Sequence, residues 1–128
     1  MVEFALVIPL VILILLGLFD FGRAIYAYNT VSNAAREAAR VAIVKPDEAA
    51  VQAEAAAQAI ALGILPASVT VAFETADDPP LPCDPPEVGC VAIVTVPYEW
   101  RAITPIIGDI VGPFQISSVS RQQIENAP

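Results

Sequence analysis

Residues 1–44, MVEFALVIPLVILILLGLFDFGRAIYAYNTVSNAAREAARVAIV, decide how the rest of the chain must be arranged. Glu3 stands at the head of sixteen residues, Phe4 to Phe19, that carry no charge. As a helix this run is about 24 Å long, slightly short of a hydrocarbon core unless flanking residues extend it. Good helix formers then continue without a proline until Pro46. A single helix over about 2–44 is therefore predicted, about 65 Å long and roughly twice the thickness of a bilayer. Its second half must leave any membrane and find another surface to cover. The chain is accordingly divided into a hydrophobic half-helix, 1–22, long enough to be transmembrane, and a globular domain, 23–128.

The second half of the helix is rich in small residues: Ala24, Ala27, Ala34, Ala35, Ala38, Ala39 and Ala42. They permit close approach of another backbone, whether a sheet or a second helix. Asp20 and Arg23 form an i,i+3 pair where the apolar run ends, and Glu37 and Arg40 form another. With Arg36 they read as a solvated helix face. No basic n-region precedes the apolar run, which argues against a secretory signal peptide.

KPDEAAVQAEAAAQAIALG predicts a second helix over about 46–62, with Pro46 at its first position and Gly63 as its stop. From Ser68 the apolar period changes to two. SVTVAFET reads as a half-buried strand with Val69, Val71 and Phe73 on one face. CVAIVTVPYEW reads as a second, with Ala92, Val94, Val96, Tyr98 and Trp100 together, and Pro97 places that end at an edge or bulge. FQISSVSRQQIE is a weaker third, preceded by a short apolar helical turn in TPIIGDIVG. The expected fold class is α+β: the long helix packed by its C-terminal half on a three-stranded antiparallel sheet, with the second helix alongside.

Composition narrows the function. The net charge of −8 argues against a nucleic-acid partner, since six Lys and Arg are too few to neutralise a run of phosphates. Histidine is absent, which removes the usual general base and the commonest metal ligand. No Gly-rich phosphate loop or paired nucleophile and base occurs, so neither an enzyme nor a cofactor is expected. Cys83 and Cys90 bracket a Pro-rich loop and suit a disulfide formed outside the cytoplasm. Zinc would need further Cys or His ligands, and calcium at Asp77, Asp78 and Asp84 is disfavoured by the intervening prolines.

Glu3 carries a cost of position. A carboxylate in lipid is unfavourable by about 2.5–3.5 kcal/mol even on lenient scales. Either it lies at the water boundary, or helices bundle and it meets the α-amino group of a neighbouring copy, fixing register.

The segments V-E-F-A-L, the proline within the apolar run, the F-G-R exit and N-A-A-R-E-A-A-R-V-A resemble the N-terminal signature of TadE-like proteins. These are pilins and pseudopilins of the tight-adherence (Tad) branch of type IV pili. The resemblance covers about the first third of the chain; the remainder agrees in architecture alone. It implies a pilin-like prepilin, inserted in the inner membrane, cut by a prepilin peptidase after a glycine in a basic leader, and handed to a pilus assembly machinery. The product is an extracellular filament of copies of the chain, suited to surface attachment. By the same resemblance Glu3 matches the pilin glutamate, here third rather than fifth, and Phe4 the aromatic beside it. Pro9 would loosen the helix where subunits fit together. Two other readings stand beside the filament subunit: a minor pseudopilin that primes or caps assembly, and a single-pass anchored extracytoplasmic binding domain.

Overall fold

In the computed structural model, which describes residues 2–125, the opening stretch forms one uninterrupted helix, α1, Val2–Val44. Pro9 sits inside it, forgoing the bond its missing N–H would give the carbonyl of Ala5, and the helix continues past it. After α1 come α2 (Glu48–Gln58), 3-10 turns at Ile60–Leu62 and Pro66–Ser68, and β1 (Thr70–Glu74). β2 (Val91–Trp100), α3 (Pro105–Val111) and β3 (Phe114–Gln123) complete the order. The three strands form one antiparallel sheet in the order β1-β2-β3. This is the α+β arrangement that the change of apolar period predicts.

The second helix differs in detail from its reading. Asp47, not Pro46, marks its start: the Asp47 carboxylate accepts the Ala50 N–H at 3.3 Å as an N-cap. Pro46 therefore lies outside the helix, where its lack of a donor costs nothing. The α-helical turns end at Gln58 and tighten into the 3-10 turn before Gly63, whose φ of 68° only glycine adopts readily.

The core lies between the second half of α1, α2 and one face of the sheet. Val31, Ala34, Ala35, Ala38, Ala39 and Ala42 are fully buried. Across from them, Val51, Ala55 and Ala59 come from α2 and its exit, while Ala92, Val94 and Val96 come from the central strand. Spacings of three and four along α1 keep these side chains on one side of the helix. Because most stop at Cβ, α1 has α2 on one flank and the sheet on the other, both in contact. A second, smaller cluster of Ala27, Trp100 and Ile116 closes the end nearer the apolar half-helix. There Trp100 and Phe114 stack at 4.9 Å between ring centroids.

Strand β2 has partners on both sides only in its first half. Pairing with β1 ends at Thr70 opposite Thr95, so Pro97 has β3 alone beside it, opposite Ser117. The expected open edge at Pro97 is thus present, within what is otherwise the middle strand.

The Pro-rich loop after β1 folds back over that strand's outer edge. The Cys83 N–H donates to the Phe73 carbonyl at 2.8 Å, and the Thr75 N–H donates to the Leu81 carbonyl at 2.8 Å. Covering the edge in this way removes a template for unwanted strand pairing. Cys83 and Cys90 are joined by a disulfide with Cα atoms 6.4 Å apart. Beside it, the Ile124 N–H donates to the Cys90 carbonyl at 2.8 Å, tying the loop's end to the last strand.

Two outcomes are expected from this packing. Ala38→Leu puts a branched side chain where helix and sheet already touch, and should lower stability by about 1–3 kcal/mol in denaturant titrations of the detergent-solubilised chain. Replacing both cysteines by serine frees a short loop, and by chain entropy should cost about 2.5 kcal/mol and expose the loop to proteases.

Candidate functional site

The feature set apart by its chemistry is the first half of α1. Phe4, Leu6, Leu10, Ile14, Leu15, Leu18, Phe19 and Phe21 are all exposed. Water is a poor medium for such a surface, which is far more extensive than the apolar patches that single soluble domains carry. Among the described residues α1 is the one helix long and apolar enough to cross a membrane. Glu3 and Phe4 lie on its first turns, both exposed, with Phe4 74% accessible. Together with Val7 they line a shallow concavity. The α-amino group proposed to meet Glu3 lies outside the described residues. Cys83 and Cys90 belong to the opposite part of the domain, packed with the Val31–Ala42 core.

The boundary between the apolar half and the domain is built by a residue whose role the sequence did not reveal. Asp20, read as part of a solvated face, is instead 2% exposed. The loop that leaves β2 turns onto α1 here, and its backbone donors need an acceptor. Oδ1 accepts the Ile103 N–H at 3.0 Å and Oδ2 accepts the Thr104 N–H at 3.0 Å. Arg23, one turn on, donates from Nη1 to Oδ1 at 3.2 Å and to the Arg101 carbonyl at 3.4 Å. Asp20 is thus a buried anion whose two oxygens are both engaged, by two backbone donors and one cation. The Asp20/Arg23 spacing was visible as an ion pair. Its partners, more than eighty residues away, carry no local signal.

This clasp sets α3 beside the apolar half-helix. Ile107 reaches α1 at Gly17, where an added Cβ would lie 3.2 Å from the Ile107 Cδ1. A glycine there lets the short helix approach. Above that contact, Pro9, Ile12, Leu13 and Leu16 of α1 face Thr104, Pro105 and Ile106 across an open cleft of about 340 Å³. Pro9 is therefore brought together with the loop after β2, while Glu3 and Phe4 are not. The predicted divide at residues 22 and 23 is bridged from the domain side, since α3 extends back to the level of Pro9.

Among the described residues no three acidic or cysteine side chains gather as a metal-holding group, and Asp77, Asp78 and Asp84 stay on the Pro-rich loop. The buried Trp100 Nε1 has no acceptor among the described residues, so the indole serves there through packing.

Fold and surface together define a protein with a long, exposed apolar helix carrying a small α+β domain. The family model described as TadE-like protein matches residues 1–40, the same third of the chain that carries the resemblance in the sequence. That segment points to a Tad-pilus-associated protein with membrane anchoring and a cell-surface location. Searches of curated proteins and of solved structures find no match.

If Asp20 holds the loop, Asp20→Ala leaves two backbone donors without an acceptor. Amide hydrogen exchange at Ile103 and Thr104 should then quicken by about an order of magnitude or more. The amides of Val94 and Val96 should keep their protection.

Proposed function

We propose that the chain is a structural subunit of an extracellular, type IV-like Tad pilus filament. It first resides in the inner membrane through α1 and then polymerises with copies of itself through the same helix, the α+β domain remaining outside. The observation that carries this reading is the nearly uncovered apolar half of α1, rigidly continuous with a domain whose own core is complete without it. A plain anchor needs an apolar helix too. The TadE-like match over residues 1–40 favours the filament, because it takes in the small-residue half as well as the apolar run.

In the filament the side chains from Phe4 to Phe19 exchange lipid for the equivalent helices of neighbours. The gain is packing rather than transfer from water, since lipid tails are as apolar as leucine. Glu3 fixes the depth of each subunit: paired with a neighbour's α-amino group it is satisfied in one register, and a slipped subunit buries an unpaired charge. Pro9 gives the helix a weak point near the contact with α3, where neighbouring subunits adjust. Processing by a prepilin peptidase and handling by a pilus assembly machinery complete the route, and surface attachment is the use the filament serves.

The test is electron microscopy of material sheared from producing cells, with the wild-type chain and Glu3→Ala compared. Filaments containing this chain are expected from the wild type. Glu3→Ala should lose or disorder them while the chain still accumulates in the membrane with its disulfide intact. A wild-type chain that stays monomeric in the membrane under producing conditions would overturn the filament reading. Ordered fibres from Glu3→Ala would remove the carboxylate from the account.

A further inference from the structure

We propose that α3 is a membrane-seated element: while the chain resides in a bilayer, Ile103, Ile106, Ile110 and Val111 sit in the acyl region of the leaflet nearest the domain. This rests on the reading of α1 as a membrane span, and it assigns to lipid a surface of the domain itself.

Depth carries the inference. Asp20 and Arg23 hold residues 101–104 against α1, and Ile107 touches α1 at Gly17, inside the uncharged run that ends at Phe19. Whatever medium surrounds Leu13 to Gly17 must also surround a helix docked on them. A bilayer that covers the apolar run therefore covers α3, unless the clasp opens.

The chemistry of α3 agrees. From Ala102 to Phe114 the only charge is Asp109. The apolar side chains turn outward rather than into the core: Ile103 is 65% exposed, Ile106 56%, Ile110 79% and Val111 55%. A soluble domain has no reason to present three branched aliphatic side chains on so short a helix, and a fourth, Ile103, just before it, while its own core is lined with alanine. The cleft between Pro9, Ile12, Leu16 and Pro105, Ile106 is apolar on both walls and open at its mouth, a shape that an acyl chain fills.

Immediately beyond this surface the residue types change. Arg23 and Arg101 lie at the level of the clasp, Arg23 paired with Asp20 and Arg101 with Glu99. Tyr26 and Tyr28 follow on α1, both exposed. Tyrosines at the edge of the hydrocarbon are what a membrane interface selects. The occupant committed to is thus phospholipid, with its acyl chains against α3.

The experiment uses the full chain with its disulfide kept oxidised, reconstituted in vesicles of phosphatidylethanolamine and phosphatidylglycerol. An environment-sensitive fluorophore is attached at Ile110→Cys, with Leu10→Cys and Val88→Cys as references, and nitroxide-labelled lipid is added as quencher. Ile110 is largely exposed, so the substitution leaves the core untouched. The proposal expects a blue-shifted emission at Ile110→Cys and loss of about half its intensity to nitroxide lipid, close to Leu10→Cys and unlike Val88→Cys. Water-like emission at Ile110 with quenching at Leu10 overturns it while leaving the membrane span intact. A shifted but unquenched signal at Ile110 also overturns it, since a second copy then covers α3. Absence of quenching at Leu10 overturns the span and the seat together.

Discussion

The face of α1 from Val31 to Ala42 is the constraint to which everything else in the chain conforms. Five of its six fully buried side chains are alanines, so the helix has α2 and a sheet packed on it without a thick layer of side chains between. Close approach has a cost: alanine buries little apolar area, and the hydrophobic contribution per residue is correspondingly modest. Valines restore part of it at Val31, Val51, Val94 and Val96. The remainder comes from devices outside the seam, namely the disulfide, the loop laid along the outer edge of β1 and the carboxylate clasp at Asp20. A domain of this size with a thin core depends on such ties.

The same helix presents two kinds of surface. Its domain half is selective about shape along one face, where Val31 to Ala42 meet fixed neighbours in α2 and the sheet. Its apolar half is selective about little beyond hydrophobicity, and most of its side chains face outward. Among the described residues the first almost wholly buried side chain along the helix is Asp20, next to the largely exposed Phe19. A carboxylate is well suited to that boundary. It needs several donors to be buried at all, so it draws in the backbone of a distant loop, and the loop in turn carries an apolar helix to the side of the apolar run.

Much of this was legible in the chain. The uncharged run and the helix formers that continue it to Pro46 announced α1, the two-residue alternation announced β1 and β2, and the change from one pattern to the other announced an α+β domain. The apolar run, and Glu3 and Pro9 within its first turns, needed no coordinates to be noticed. What the sequence hid was non-local. Asp20 looks like any i,i+3 partner of Arg23, because its decisive contacts are backbone N–H groups that every residue possesses. Ile106, Ile107 and Ile110 read as a helical turn, but the sequence does not say that the turn lies against Gly17. The start of α2 was misplaced by two residues because proline and aspartate both favour helix starts, and the carboxylate, which accepts a bond, took the cap.

The clasp also bears on how a subunit could pass from membrane to fibre. Such a transfer exchanges one apolar surrounding for another, so it gains nothing from a change in the subunit's own fold. A domain able to swing freely about the end of α1 would have to be ordered on assembly, at an entropic cost in every subunit. Here the hydrogen bonds of Asp20 and the contact at Gly17 fix the domain to the apolar half at two levels of the helix. Helix and domain therefore move as one body, and placing the helix among its neighbours places the domain as well. In the filament proposed above, the interaction that holds α3 beside the apolar run would also let a packed bundle of helices dictate the regular spacing of the domains around it.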